Sequence, residues 1–191
     1  MRKPHLIIVC GVPGAGKSTL ARYAADRWGA ARFASETFAE QLGAAARTAS
    51  GDLTKEAIAH AYSAMGAAVA GALTTSKLVI AVGSFRSEEQ RSRFRAIAKS
   101  SGASVTTLRV ACSVETAAKR ISARLALGER GPDEKAIRQI ADGLNGADDI
   151  DLVLSNDSSM KDFHRRIEAV LEPLILAASA KPSDRKGRVV V

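Results

Sequence analysis

The residues with the clearest chemical pattern lie near the start of the chain. Residues 11–19 read GVPGAGKST and match the spacing G-x-x-x-x-G-K-[ST] in full. Glycine tolerates positive φ, so the three glycines let successive backbone N–H groups face one point and hold phosphate oxygens. In this pattern the lysine places a cation on the phosphates of ATP, and the hydroxyl that follows can ligate Mg²⁺. The predicted nucleotide-binding residues are Gly11, Pro13, Gly14, Ala15, Gly16, Lys17, Ser18 and Thr19, with Lys17 also catalytic and Ser18 the metal ligand.

A phosphate-binding loop of this kind needs a strand before it and a helix after it, and the sequence predicts both. Residues 5–10 (HLIIVC) form a short apolar run rich in β-branched side chains, which is typical of a buried parallel strand. Residues 18–28 place Leu20, Ala24 and Trp28 at helical spacing. The positive end of that helix therefore points at the phosphates.

Further apolar runs alternate with helical patterns along the rest of the chain. The predicted strands are 31–34, 77–82, 105–112 and 151–154. The predicted helices are 35–48 with Ser35 as N-cap, a segment capped by Thr54, a segment opened by a Ser87–Gln90 capping box, 114–125 capped by Ser113, 133–144, and 159–176 opened by Ser159. This alternation predicts a three-layer α/β fold, with a five-stranded, mainly parallel sheet and helices on both faces.

Residues 11–22 (GVPGAGKSTLAR) resemble the opening of the small P-loop kinases. This superfamily includes enzymes like adenylate, guanylate, gluconate and shikimate kinases, and short AAA-domain ATP-binding kinases. The resemblance covers about residues 5–176 and is most specific at the phosphate-binding loop. It implies strand order 2-3-1-4-5, ATP as phosphate donor, and one domain over residues 1–179. It also implies an acceptor bound by residues 36–75 and a small lid at about 124–135.

The resemblance assigns two charged residues to the acceptor side. Glu36 follows the second strand, where related kinases carry a general base or acceptor anchor, although a first-turn glutamate also suits a helix dipole. Arg86 follows the third strand and would hold an anionic acceptor group, or would be a solvated flanking arginine. Two positions depart from the pattern: Ala39 replaces an arginine, and Val82 stands where related kinases have an aspartate beside Mg²⁺. Ser84 could substitute as a ligand of a metal-bound water.

The resemblance also assigns arginines to the lid and a base-binding residue near the C-terminus. Arg120 would lie near the nucleotide base, and Arg124 and Arg130 would clamp the phosphoryl group during transfer. The alternative for these arginines is an exposed basic helix end. Asn156 follows the fifth strand and, with the neighbouring backbone, would read the edge of adenine, although Asn-Asp is also common in turns.

The charge distribution favours anionic partners. The net charge is +8 and the pI is about 9.9. Residues 86–109 carry a net +4, which we interpret as a solvated helix face, and residues 181–191 carry +3 in a predicted disordered tail, 180–191. Aromatic residues are only 4 % and do not interleave with the basic run, which counts against a base-stacking nucleic-acid platform. Nucleic acid therefore stays a possible but disfavoured partner.

Composition excludes several other classes of protein. Two cysteines exclude a disulfide scaffold, and His5, His60 and His164 are too scattered to suggest a metal site. The sequence contains no run of 18 apolar residues, so we predict no membrane span. The apolar run after Met1 is too short for a signal peptide. These features predict a cytoplasmic protein without a membrane partner, as a monomer or a homodimer.

The sequence therefore predicts an enzyme that uses Mg·ATP to phosphorylate a small molecule. A nucleoside or nucleotide is the leading acceptor, and a sugar or sugar phosphate is the second. Two alternatives stay open: a nucleotide-binding ATPase module with little transferase activity, motivated by Val82 and Ala39, and a polynucleotide 5′-hydroxyl kinase, motivated by the high pI.

Overall fold

A five-stranded parallel sheet forms the centre of the computed structural model, which describes residues 3–48, 53–128 and 131–179. The strands are β1 (His5–Cys10), β2 (Ala31–Ala34), β3 (Leu78–Val82), β4 (Ser104–Ala111) and β5 (Leu152–Ser155). Their order is β2-β3-β1-β4-β5, and every pairing between them is parallel. The predicted three-layer α/β fold and strand order are confirmed.

Strand β1 occupies the middle of the sheet because every one of its side chains can be buried. Alternate residues of a strand face opposite sides. Ile7 and Val9 pack into one hydrophobic cluster, and Leu6, Ile8 and Cys10 pack into another on the opposite face. Burial also raises the pKa of the Cys10 thiol to about 11, so this cysteine is an inert core residue.

Seven α-helices cover the two faces of the sheet in the described part of the chain. They are α1 (Lys17–Trp28), α2 (Ser35–Glu40), α3 (Lys55–Ala72), α4 (Glu88–Ser100), α5 (Val114–Leu125), α6 (Glu134–Leu144) and α7 (Met160–Ser179). The predicted caps are present at four of them: Thr54, Ser87, Ser113 and Ser159 each accept a hydrogen bond from a first-turn backbone N–H. Within the described ranges, no helix is long and apolar enough to cross a membrane.

The prediction of a helix over residues 35–48 was wrong. Helix α2 stops at Glu40, and a short 3-10 helix (Ala44–Ala46) follows a turn at Gly43. Gly43 has φ 70°, a left-handed conformation that ends the helical path at little cost for glycine. Ser35 is also not an N-cap: it is the first residue of α2, and its hydroxyl hydrogen-bonds the Tyr62 hydroxyl instead.

The interpretation of residues 86–109 as a solvated basic face was also wrong in one important respect. Arg91 on α4 is only 2 % exposed and pairs with Asp149 through two hydrogen bonds. Arg95 lies beside it and donates to the Thr107 hydroxyl at 2.8 Å. Two predictions lie outside the described residues: Arg130 and the tail at 180–191.

Candidate functional site

The loop between β1 and α1 adopts a conformation that needs glycine. Gly11 has φ 144°, and a Cβ there would lie 2.3 Å from the carbonyl oxygen of Val110 on the neighbouring strand β4. Gly16, the N-cap of α1, has φ 103°. Other residues rarely adopt these angles, so the spacing of glycines in the sequence is a direct consequence of the loop's path.

The first turn of α1 is open toward the loop. Its N-cap is a glycine, and among the described residues no side chain caps it. The first turn also contains no acidic residue. The backbone N–H groups of a helix's first turn have no partner within the helix and carry its positive partial charge. This helix end therefore has the chemistry of an anion site and lacks an anion of its own.

Lys17 is held inside the loop. Its side chain is 5 % exposed, and its ammonium group donates a hydrogen bond to the carbonyl of Val12 at 2.8 Å. Burial lowers the pKa of Lys17, an effect that Glu36 partly opposes and Arg124 adds to. The same three charges therefore interact electrostatically, although they come from α1, α2 and α5.

One cavity of about 590 Å³ brings most of the predicted site residues together. The phosphate-binding loop lines it through Pro13, Gly14, Gly16, Lys17, Ser18 and Thr19. Gly11 and Ala15 belong to the same motif but are buried and do not line the cavity. Across the cavity lie Glu36, Arg86 and Arg124, all three exposed. Phosphate-binding groups and charged groups from three other elements thus share one space.

A second cavity of about 180 Å³ adjoins the first, and the two share the lining residues Glu36, Ala39, Leu53, Ile58, Arg86 and Ile140. The remaining wall of the second cavity comes from α2, α3, α4 and the loop after β3, through Ser35, Ala61, Tyr62, Ser84 and Gln90. Most of the surface that lines this cavity is apolar, and its charged residues among those that the structure describes are Glu36 and Arg86. The two cavities together form a space that is charged at the loop and more apolar beyond it.

Arg120 and Asn156 do not line either cavity, and they contact the loop itself. Arg120 donates to the carbonyls of Gly14, at 3.1 Å, and Asn156, at 3.0 Å. The Asn156 side chain is 5 % exposed and donates to the carbonyl of Ala15 at 2.7 Å. Sequence reasoning predicted that this side chain reads adenine, but here its amide supports the phosphate-binding loop. Contact with the base stays a prediction for Arg120 and for Asn156 with its neighbouring backbone.

The two apolar residues that depart from the kinase pattern are both buried. Val82 is 1 % exposed at the end of β3, and Ala39 is 4 % exposed on α2. In the described part of the larger cavity the carboxylates are Glu36 and Glu40, and no cluster of three or more metal-ligating side chains occurs in the same residues. Mg²⁺ commonly keeps several waters and binds protein through few groups besides substrate phosphates. The exposed hydroxyl of Ser18 in the first turn of α1 fits that kind of site.

Two charged residues of the cavity were missed by sequence reasoning. Glu40 ends α2, and Arg47 follows the 3-10 helix, and both line the larger cavity. Glu40 lies four residues after Glu36 on α2, so the i, i+4 spacing was a signal for it. Arg47 reaches the cavity because the chain turns after α2, where the sequence prediction ran a straight helix. The left-handed Gly43 was the one local signal of that turn.

Comparisons with known proteins place the chain in a family. A family model described as an AAA domain matches residues 6–146, which is most of the chain. No curated protein sequence matches the chain significantly.

Solved structures share the fold at low sequence identity. The gluconokinase from Sinorhizobium meliloti 1021 is 19 % identical, with a TM-score of 0.65 over 92 % of this chain and 96 % of that chain. The APS kinase of Mycobacterium tuberculosis, solved with AMPPNP and APS, is 16 % identical, with a TM-score of 0.64 over 91 % and 99 %. The Pnkp1/Rnl/Hen1 RNA repair complex contains a chain that is 21 % identical, with a TM-score of 0.64 over 75 % of this chain and 45 % of that chain. At these identities the likeness concerns the fold.

Proposed function

We propose that the chain, which belongs to the AAA-domain family, is a small P-loop kinase that transfers the γ-phosphoryl group of Mg·ATP to a small-molecule acceptor. The observation that carries this proposal is the single cavity that holds the phosphate-binding loop on one side and Glu36, Arg86 and Arg124 on the other. A site that only bound a nucleotide would not require charged side chains on the side of the cavity opposite the phosphate-binding loop.

The donor side binds the phosphates of ATP. Lys17 gives up its hydrogen bond to the Val12 carbonyl and moves its ammonium group onto the phosphate oxygens. The open first turn of α1 supplies backbone N–H groups and positive potential to the same oxygens. Ser18 offers its hydroxyl to Mg²⁺, which when bound neutralises charge on the transferring group.

The acceptor side orients the attacking group. Glu36 accepts a proton from an acceptor hydroxyl or anchors that hydroxyl, and Arg86 pairs with an anionic group of the acceptor. Arg124 approaches from α5, and its guanidinium offsets charge on the phosphoryl oxygens during in-line transfer. In this proposal residues 36–75 bind the acceptor, and residues 124–135 act as a lid within a domain of residues 1–179.

The leading acceptor class is a nucleoside or nucleotide, and a sugar or sugar phosphate is second. The apolar wall of the smaller cavity supports an acceptor with a flat or apolar part, and Arg86 at its mouth supports an anionic one. The gluconokinase and APS kinase neighbours differ in the acceptors that they are named for, so the shared fold does not choose between these classes.

A second candidate is a nucleotide-binding module with little transferase activity. The apolar Val82 and Ala39 favour it, because these positions carry an acidic and a basic group in related kinases. In that case Mg·ATP binds at the loop, and no acceptor increases its turnover.

The deciding experiment measures ADP release from Mg·ATP with pools of nucleosides, nucleotides, sugars, and an oligonucleotide with a 5′-hydroxyl end. We expect one small-molecule pool to stimulate release, and Lys17→Ala to reduce kcat/KM by about 10³. Lys119→Ala is the matched control, since Lys119 is exposed on α5 and does not line the cavity.

Each other outcome contradicts the proposal in a different way. Tight ATP binding without stimulation by any pool would identify the nucleotide-binding module. Stimulation by the oligonucleotide alone, with an affinity that falls steeply with salt, would identify a polynucleotide kinase.

A further inference from the structure

A buried ion pair joins α4 to the loop before β5. The Arg91 guanidinium donates to both carboxylate oxygens of Asp149, from Nε at 2.7 Å and from Nη2 at 2.6 Å. The two side chains are 2 % and 16 % exposed. The arginine holds the pKa of Asp149 below its usual range, so the carboxylate stays ionised. Since a buried ion pair is often no more stabilising than an apolar pair of similar size, stability alone does not explain it.

The third contact of Arg91 points to the acceptor side. Its Nη1 donates to the backbone carbonyl of Phe85 at 2.7 Å. Phe85 has φ 43°, which is a left-handed conformation that bulky residues rarely adopt. Its N–H group donates to the Tyr62 hydroxyl at 3.0 Å. Both backbone polar groups of this strained residue are therefore held by buried side chains, and strain of this kind concentrates at functional sites.

Packing fixes the same segment from the other directions. The Phe85 ring lies edge-on to Tyr62 and to Phe94, with 5.0 Å between ring centroids in each pair. The next residue is Arg86, which lines both cavities. Its carbonyl oxygen would lie 3.3 Å from a Cβ at Gly143, so α6 packs directly against its backbone. The backbone around Arg86 is thus held on both sides, while its side chain reaches the acceptor cavity.

We propose that Arg91 is a positioning residue for acceptor binding, which acts with Asp149 by holding the carbonyl of Phe85 and so fixing the direction in which Arg86 enters the cavity. The proposal rests on the proposed function, because Arg86 is the acceptor anchor there. Only a guanidinium has the planar fork that binds a carboxylate through two nitrogens while a third nitrogen donates to a carbonyl. The ion pair with Asp149 fixes the orientation of the Arg91 guanidinium, and the guanidinium holds the backbone of the loop between β3 and α4.

The test separates positioning from stability with a paired replacement. Arg91→Met/Asp149→Leu puts apolar side chains in place of both charges and keeps the buried volume. Arg95, which also lies 4.0 Å from the Asp149 carboxylate, keeps Asp151 at 3.6 Å as an ionic partner. The double replacement also removes the hydrogen bond to the Phe85 carbonyl.

Arg91→Lys is a second variant, which keeps the charge and loses the fork. Arg93→Met is the matched control, because Arg93 is exposed on the same helix and lines neither the donor nor the acceptor cavity.

The readouts are thermal stability, Mg·ATP affinity, and kcat and KM for the acceptor pool that supports ADP release. We expect the double variant to fold, to bind Mg·ATP with unchanged affinity, and to lose at least about tenfold in kcat/KM for the acceptor, mainly through KM. Arg91→Lys should show the same split between donor and acceptor, and Arg93→Met should match the parent protein. A double variant with the parent's acceptor KM would overturn the proposal and leave the pair a purely structural one.

The proposed function can fail without leaving this inference untested. If no pool stimulates ADP release, the probe becomes inorganic sulfate, titrated into the Mg·ADP complex while arginine Nε–H resonances are followed by NMR. Arg86→Lys identifies the Arg86 signal. We expect sulfate to shift that signal in the parent protein. In the double variant the same titration should give a sulfate affinity at least about tenfold weaker. An equal response in both proteins, or no Arg86 response in the parent, would overturn the proposal.

Discussion

Helices α1 and α4 follow the neighbouring strands β1 and β3, but they begin in opposite ways. α4 starts with a complete capping box, in which Ser87 and Gln90 each bond the other's backbone N–H, and two glutamates occupy its first turn. α1 starts at Gly16, with no acidic residue in its first turn and no side-chain cap in the part of the chain that the structure describes. Both helix starts have the same orphan N–H groups, and only α4 satisfies them from its own sequence.

The difference indicates which helix start the protein keeps for a ligand. Helices α3, α5 and α6 resemble α4, since the side chains of Thr54, Ser113 and Asp133 accept from their first turns. Helix α2 also lacks a side-chain cap, but it carries Glu36 in its first turn. Among the described α-helices, α1 is therefore the one with neither a side-chain cap nor a first-turn acid, and its start lines the cavity. An uncapped helix of twelve residues is less stable alone, so a bound phosphate would supply the interaction that its cap lacks.

The largest effect is expected when the special start of α1 is forced toward an ordinary one by Gly16→Ala. The new Cβ would lie 2.3 Å from Asn156 Nδ2, and the residue would have to keep φ 103°. We expect the free energy of unfolding to fall by about 3 kcal/mol, through backbone strain and loss of the hydrogen bond from Asn156 to Ala15. ATP affinity should fall with it, as measured by urea denaturation and by calorimetric titration.

Gly29→Ala is the control for backbone strain alone. Gly29 ends α1 with φ 67°, and a Cβ there meets nothing within 4 Å. This variant should cost about 1 kcal/mol and leave ATP affinity unchanged. Equal effects of the two substitutions on ATP binding would contradict the special role of the helix start.

This contrast also explains how much of the donor side could be predicted from the sequence. The positive φ angles of Gly11 and Gly16 are local properties of a contiguous pattern, although the close contacts that a Cβ would make with Val110 and Asn156 are not local. The alternation of strands and helices likewise predicted the sheet, since parallel strands buried on both faces read as short apolar runs. A structural requirement that lies within a short stretch of the chain can be recognised from that stretch of sequence. These parts of the fold were therefore predicted correctly.

Other parts of the site, on the acceptor side and behind the phosphate-binding loop, depend on contacts that no short window of sequence contains. Arg91 and Asp149 are 58 residues apart, and their pairing converts a residue of a basic helix into a buried one. The Asn156 side chain turns toward Ala15, 141 residues away, although turn chemistry and resemblance both suggested other roles. Glu36, Arg86 and Arg124 were named through resemblance, and the structure places them on one cavity, but their chemical roles stay predictions.

A smaller effect is expected when the ordinary start is damaged by Ser87→Ala. The substitution removes the acceptor of the Gln90 N–H bond, which measures 3.3 Å, and disrupts the capping box. We expect the free energy of unfolding to fall by about 1 kcal/mol, because the cap stabilises the first turn of α4. ATP affinity should not change, because this cap does not contact the proposed ATP site. Urea denaturation and calorimetric titration measure the two quantities. A loss of ATP affinity comparable to that of Gly16→Ala would mean that the two helix starts do not differ in function.

The smallest effect should come from giving α1 the acidic first turn that α4 already has. Thr19 lies in the first turn of α1 and lines the cavity, so Thr19→Glu adds a carboxylate where a phosphate would bind. We expect the ligand-free protein to gain about 0.5 kcal/mol in unfolding free energy at low salt, since an anion at a helix N-terminus is favourable. The gain should shrink as salt rises.

The informative quantity in this variant is the opposition between stability and binding. Thr19→Gln is the control of equal size without charge, and urea denaturation with ATP titration at low and high salt measures both quantities. If α1 is kept uncapped for ATP, Thr19→Glu must weaken ATP binding relative to Thr19→Gln while it stabilises the ligand-free protein, because the carboxylate and the phosphates compete for the same positive end. A variant that gained stability and bound ATP as tightly as Thr19→Gln would show that the phosphates lie elsewhere, and the missing cap of α1 would then be a structural defect and not a binding device.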